Sequence, residues 1–255
     1  MEASGRIYVL VHGAFHGAWC WKEVATRLRT MGHVVYTPTL TGLGERSHLL
    51  ACRPTLETFI EDVAQVFRYE ELTDVVLVGH SFSGPVITAI ADRMPERLRH
   101  LVYLDAMVLQ SGQSAVDTAP PALIAGYRDR AAASGGLSVP PNEPGYYSIT
   151  DPQQAEWLRG KLTPHPFQTY FDRLTLQHPL GNGVKVTYLA CTQPPHAATA
   201  SSRVLAQAMP GWTYRGIPTA HNAMLLWPLG LTQLLDTLGQ DAACDAASGK
   251  DAAPC

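Results

Sequence analysis

The chain has little that would tie it to a membrane, a metal or a nucleic acid. The longest apolar stretches of its 255 residues are too short to span a bilayer. Met1–Gly5 lacks the basic and apolar segments of a secretory leader, so a cytoplasmic protein is expected. Charged residues make up only 16% and the formal net charge is −3. A balance this close to neutral gives no electrostatic reason to seek nucleic acid or an anionic membrane. The five cysteines are odd in number and none sits in a C-x-x-C pair, which argues against a disulfide framework and a zinc site. Cys20 and Cys191 lie in apolar surroundings and read as small buried hydrophobes. The ten histidines are not grouped as metal ligands: a strand end and Gly13 separate His12 from His16, so no helix face presents both. TGLGERSH holds a G-x-G but no third glycine, and no phosphate loop or cofactor motif appears. No metal, no cofactor and no internal repeat is expected.

What the chain does have is 46% apolar residues, enough for a large core. Short β-branched runs alternate with amphipathic stretches. Strands are expected at Arg6–Val11, His33–Thr37, Val75–Val78, Leu101–Leu104, Val184–Ala190 and Trp212–Ile217. Helices are expected at Trp19–Met31, Leu56–Tyr69 (capped by Thr55), Ser83–Arg93, Ser201–Ala208 and Leu225–Leu238. Strands that alternate with helices and read as continuous apolar runs imply an α/β fold, with a mostly parallel six-stranded sheet covered by helices on both faces. Ligands on such sheets bind outside the carboxyl ends of the strands.

Residues 110–180 break this alternation. They are rich in Pro, Gly and Ser, with short helical pieces at Gln153–Lys161 and Pro166–Leu174. So long a segment is not a plain loop. It reads as an inserted cap between core segments 1–109 and 181–240. From residue 241 the composition turns to Ala, Asp, Gly and Ser, and residues 241–255 are expected to be a disordered tail.

Gly79-His80-Ser81-Phe82-Ser83-Gly84 contains G-x-S-x-G between a strand and a helix. In that context the glycines allow a sharp turn that lifts the serine above the sheet, the geometry of a nucleophile elbow. A serine hydroxyl needs a base, and His221 follows the last strand, where the histidine of such a fold comes last in the chain. The developing oxyanion needs N–H donors, expected from Phe82 and from Ala14 in the glycine-bearing loop after the first strand. His12 and His16 are expected to hold that loop by hydrogen bonds.

These segments together carry a resemblance. VLVHGAFHGAWCW, PTLTGLGERSHLL, GHSFSG and AHNAMLLWP resemble the esterase and hydroxynitrile lyase branch of the α/β-hydrolase superfamily. Plant methyl-ester esterases and bacterial carboxylesterases of the pyrethroid-hydrolase type belong to that branch. The likeness spans residues 6–235, and AEWLRGKLTPHPFQTY in the insertion is similar to the bacterial esterases. It implies an α/β-hydrolase fold with an inserted cap, without the leading antiparallel hairpin.

The chain departs from this pattern at one point. The family usually carries its acid after the penultimate strand, but Cys191-Thr192-Gln193-Pro194-Pro195-His196 holds neither Asp nor Glu there. Asp105, which ends the strand Leu101–Leu104, is the replacement candidate, since haloalkane dehalogenases on the same fold place their acid at that strand end. The alternative is that Asp105 merely serves the turn into the insertion. Hydroxynitrile lyases of the branch use a threonine in the first loop and a lysine after the histidine, where this chain has Gly13 and Asn222. Phe15, Met107, Trp157, Phe167, Tyr170 and Met224 are expected to line an apolar pocket suited to an aromatic or otherwise hydrophobic ester. The leading expectation is therefore a serine-dependent carboxylic ester hydrolase acting through an acyl-enzyme on a small molecule. A non-hydrolytic lyase or cyclase, and a ligand-binding protein with a degenerate triad, are the alternatives. A homodimer is compatible with the sequence.

Overall fold

The computed structural model describes residues 5–247. In chain order the strands are β1 (Ile7–Val11), β2 (Val34–Tyr36), β3 (Val75–His80), β4 (Leu98–Leu104), β5 (Ser138–Val139), β6 (His165–Pro166), β7 (Val186–Cys191) and β8 (Thr213–Ile217). The helices are α1 (Lys22–Thr30), α2 (Leu56–Tyr69), α3 (Gly84–Arg93), α4 (Ala115–Thr118), α5 (Pro121–Ala131), α6 (Pro152–Arg159), α7 (Ala200–Ala208), α8 (Ala223–Leu226) and α9 (Pro228–Ala247).

Six strands form one sheet in the order β2-β1-β3-β4-β7-β8. Every neighbouring pair in it is parallel. Successive side chains of a strand point to opposite faces, and the core divides accordingly. Val9, Val11 and Leu77 pack with Phe59, Val63 and Ile87 of α2 and α3. Tyr8, Leu10, Val76 and Val78 pack with Val24 and Leu28 of α1 and Leu231 and Leu235 of α9. The central strands are buried on both faces, hence their unbroken apolar runs. The last strand, β8, lies at the edge and is mostly exposed, so TYRGI tolerates polar residues there.

Helix α2 begins where the sequence places it. Thr55 Oγ1 accepts from the Thr58 N–H at 3.2 Å and Thr58 Oγ1 accepts from the Thr55 N–H at 3.1 Å, a reciprocal cap. The expected helix Leu225–Leu238 is instead two, α8 and α9, divided at Trp227 because Pro228 has no N–H to continue the first. Helix α9 runs to Ala247, into the stretch expected to be disordered; its alanines favour the helix. Residues 248–255 lie outside the described residues.

Between β4 and β7 the chain forms α4, α5, α6 and a two-stranded antiparallel ribbon of β5 and β6. The helical piece expected at Pro166–Leu174 is not an α-helix. Pro166 pairs with Ser138 in the ribbon, and the Thr169 hydroxyl donates to the Pro166 carbonyl at 2.8 Å. That carbonyl would have been the acceptor that starts the helix, so only a 3-10 turn, Phe167–Tyr170, follows.

Candidate active site

The loops that follow β1, β3, β4, β7 and β8 meet at the carboxyl end of the sheet. Register sets the first juxtaposition. His80 on β3 pairs with Leu104 on β4, so the next residues, Ser81 and Asp105, leave the sheet side by side. Both take a left-handed backbone, φ +55° at Ser81 and +41° at Asp105, which is uncommon for residues other than glycine. Such strain persists only where surrounding structure imposes it, and it gathers at functional sites. At Ser81 the turn is allowed by what lies beneath it. A Cβ on Gly84 would stand 1.8 Å from the Met107 carbonyl oxygen, so only glycine fits under the elbow.

Ser81 and Asp105 are joined through one imidazole. The Ser81 hydroxyl donates to His221 Nε2 at 2.9 Å, and His221 Nδ1–H donates to Asp105 Oδ2 at 2.7 Å. His221 and Asp105 are buried, the latter completely. The second carboxylate oxygen of Asp105 is served by the helix after β7. Thr199 Oγ1 lies 3.3 Å and Arg203 Nη1 3.4 Å from Oδ1, and Arg203 also donates to Thr199 Oγ1 at 2.7 Å and to the His196 carbonyl at 2.8 Å. A buried carboxylate is thus paired with a cation and two hydrogen-bond donors, which is what keeps a buried charge tolerable.

The loop after β1 is held by its histidines, as the sequence suggested. His12 Nδ1–H donates to the Gly13 carbonyl at 2.9 Å, and its Nε2 accepts from the Leu40 N–H at 3.0 Å. Both ring nitrogens are committed to a neutral ring, and burial pushes the His12 pKa down to about 4. His16 donates to the Ala14 carbonyl at 2.7 Å, and Asn222 Nδ2 donates to its Nε2 at 3.2 Å. Burial again lowers this ring, to about 3. A trans peptide points its N–H opposite its carbonyl. By drawing the Gly13 carbonyl towards itself, His12 turns the Ala14 N–H the other way. Phe82, just after Ser81, lies in the first turn of a helical segment, and such N–H groups have no intrahelical acceptor. Gly13 packs directly on Ser81: a Cβ there would lie 2.8 Å from Ser81 Cβ.

His80 and His196 flank the same imidazole. His80 Nε2–H donates to the His221 carbonyl at 2.9 Å, and burial drives the His80 pKa well below its ordinary value. His196 stacks on the His221 ring, with centroids 3.8 Å apart and planes 14° from parallel. Burial takes the His196 pKa down to about 2, aided by the neighbouring His221 and Arg203, so the stacked ring is neutral.

Ser81 opens into a partly enclosed cavity. Of the residues expected to line it, Phe15, Met107 and Tyr170 do, together with the two oxyanion candidates, Ala14 and Phe82. Three residues expected there do not. Trp157 is 46% exposed and meets Trp19 edge-on, because it sits on the outer face of α6. Phe167 packs against Phe171 and the core. Met224 is buried on the far face of the sheet with the α1 and α9 side chains. Sequence reasoning missed Tyr127, Asn142, Tyr146, Tyr147 and His196, all of which line the cavity. Of the four from the insertion, Tyr146 and Tyr147 sit in a 3-10 turn and Asn142 in irregular chain, where periodicity carries no facing signal; Tyr127 lies on the buried face of α5 with Ile124 and Ala131. Thr199 and Arg203 were also missed; the spacing of a helix placed just after a strand end that lacks its acid was the available clue.

Among the described residues there is no group of His, Cys, Asp and Glu able to hold a metal, and no helix long and apolar enough to cross a membrane.

The chain is similar to several known proteins. Over 243 residues the chain is 39% identical to a carbendazim hydrolyzing esterase of Nocardioides sp. (strain SG-4G), covering 91% of this chain and 99% of that one. It is 34% identical over 107 residues to methyl jasmonate esterase 1 of Vitis vinifera, covering 42% of this chain and 41% of that one. Among solved structures, an extracellular alpha/beta-hydrolase from a Paenibacillus species superposes with a TM-score of 0.82 at 25% identity, over 92% of this chain and 100% of that one. The profile of the alpha/beta hydrolase family matches residues 8–228. With a parallel six-stranded sheet, a strained serine at the end of β3 and a histidine after the last strand, the chain belongs to the alpha/beta hydrolase family.

Proposed function

We propose that the protein is a carboxylic ester hydrolase that acts through an acyl-enzyme on Ser81, with a hydrophobic or aromatic small-molecule ester as substrate. The observation that carries this reading is the unbroken chain Ser81–His221–Asp105, with contacts of 2.9 and 2.7 Å, at the floor of an aromatic-walled cavity.

In this reading His221 Nε2 takes the Ser81 proton as Oγ attacks the ester carbonyl. The tetrahedral oxyanion is held by the Ala14 and Phe82 N–H groups. His221 then returns the proton to the leaving alkoxide, and the released alcohol leaves Ser81 acylated. A water, deprotonated by His221, attacks the acyl carbon; collapse of that second intermediate restores the serine and frees the acid. Asp105 keeps the proton on Nδ1 and stabilises the imidazolium formed in each half-reaction. The segment 110–180 serves as a cap that walls the cavity.

The named esterases among the relatives support ester hydrolysis. The lyase alternative lacks its chemistry here. Gly13 has no hydroxyl, and Asn222 is neutral, buried and engaged with His16. A stoichiometric organophosphate adduct on Ser81, with ester turnover abolished by Ser81→Ala, is the expected result. Full ester turnover in Ser81→Ala rules the reading out.

A further inference from the structure

The cavity wall is aromatic, but it is not apolar. Tyr127, Asn142, Tyr146, Tyr147 and Tyr170 all face it. Tyr147 is 4% exposed, and its hydroxyl proton has no acceptor among the described residues, its polar neighbour being the Asn142 amide, which presents only donors to it. Leaving a buried hydroxyl unpaired costs stability, on the order of 1–3 kcal/mol, which a folded chain rarely accepts without a use. The neighbouring polar groups are fixed. Arg130 donates to Asn142 Oδ1 at 2.6 Å, so the amide presents its NH₂, which donates to Tyr127 Oη at 3.2 Å. Having accepted there, Tyr127 keeps its own proton to give. Burial also holds the Tyr146, Tyr147 and Tyr170 phenols above their ordinary range, so these groups are neutral donors.

Their position relates them to the reacting centre. The Tyr147 ring meets His16 of the β1 loop edge-on at 5.5 Å, and Tyr146 meets His196 at 4.9 Å, the ring stacked on His221. Tyr146 therefore stands one ring away from His221, and Tyr147 abuts the β1 loop whose Gly13 packs on Ser81. No Asp, Glu, Lys or Arg lines the cavity. A charged ligand would find no counter-ion, whereas an uncharged ring with an acceptor atom would find hydroxyl donors.

The geometry points to a hydrogen-bonding subsite, centred on the Tyr147 hydroxyl, that selects esters whose planar uncharged ring carries an acceptor such as a pyridine-type nitrogen. This deepens the proposed esterase reading and rests on it. The acceptor pairs the orphan hydroxyl, while the carbocyclic analogue of the same shape leaves it unpaired, and sites built this way reject the analogue more strongly than shape alone allows.

The test uses methyl benzoate and the three methyl pyridinecarboxylates, which place the nitrogen at each position around an otherwise constant ring. The full chain is expected to hydrolyse at least one pyridine isomer with kcat/KM about tenfold or more above that for benzoate, as one hydrogen bond to an otherwise orphaned group implies. In Tyr147→Phe that ratio is expected to fall towards one, with the melting temperature showing a folded protein. Equal kcat/KM across the four esters overturns the subsite, as does a ratio that Tyr147→Phe leaves unchanged. So does failure to turn over any pyridine isomer while benzoate is hydrolysed. Those failures leave the esterase reading standing. Loss of organophosphate labelling at Ser81 would instead strike the esterase reading itself.

Discussion

His196 lies face to face with His221, 3.8 Å between ring centroids, on the loop after β7 where the family usually places a carboxylate. The loop has changed what it supplies. It provides a neutral ring against the base, and through Thr199 and Arg203 it provides partners for the carboxylate of Asp105, which now comes from β4. In the proposed triad the carboxylate comes from β4, the neighbour of β7, and Asp105 Oδ2 accepts from His221 Nδ1–H.

Asp105→Asn tests that relocation. The amide has nearly the same shape, so the fold should persist. It cannot hold the His221 tautomer, and turnover of an ester substrate should fall by roughly 10³–10⁴, the scale seen when a triad acid is neutralised. Organophosphate labelling of Ser81 should slow in parallel. Turnover within a few-fold of the parent would make Asp105 a turn residue only.

Thr199→Val and Arg203→Met remove the partners of the second carboxylate oxygen. Each leaves a buried charge less well paired, at a cost of about 1–3 kcal/mol. For a chain of this size that lowers the melting temperature by about 2–4 °C per kcal/mol. Arg203→Met should show the larger drop, because it also releases the His196 carbonyl. Melting temperatures identical to the parent in both variants contradict the assignment.

Gly13→Ala probes the oxyanion loop. The new Cβ would lie 2.8 Å from Ser81 Cβ, so the loop must retreat and carry the Ala14 N–H with it. The expected loss in kcat is about 10²–10³, as when one oxyanion donor is removed. KM should change much less, because the donor acts on charge that develops only in the transition state. A loss confined to KM would place Gly13 in substrate binding instead.

Five histidines shifted by burial, His12, His16, His80, His165 and His196, contribute to the acid limit of stability. Burial lowers His12 to about 4, His16 to about 3 and His165 to about 3. The unfolded chain protonates these rings near pH 6.5, while the folded chain leaves them neutral until those lower values. Between about pH 6.5 and 4 the unfolded state therefore binds more protons, and stability falls as pH falls. Each ring contributes up to about 1.4 kcal/mol per pH unit in that window. Thermal melts from pH 7 to 4.5 should show a steep decline, shallower in His165→Gln. A melting temperature constant over that range contradicts this.

Much of the site was legible without coordinates. The strand before G-x-S-x-G, the glycines around it and the late histidine identify Ser81 and His221 by local chemistry alone, since an elbow and a loop after the last strand are both set by near neighbours in the chain. The alternation of apolar strands and amphipathic helices likewise implied the parallel sheet. The pocket was harder to read. Trp157, Phe167 and Met224 are aromatic or apolar like true lining residues, but apolarity does not say which face of an element points at the cavity. Tyr147 and Asn142 lie in short turns without periodicity, so nothing in the sequence aimed them.

By itself, then, the amino-acid sequence determined the class of fold and pointed to the proposed nucleophile, the proposed base and the loop that faces them, because each depends on residues close together in the chain. Only the tertiary structure decided the acid. Asp105 and His221 are joined because β4 pairs with β3 in a register that releases Asp105 beside Ser81, and because the β7 loop delivers Thr199 and Arg203 to its other oxygen. Those are long-range juxtapositions, fixed by sheet order and packing, and no local pattern of residues carries them.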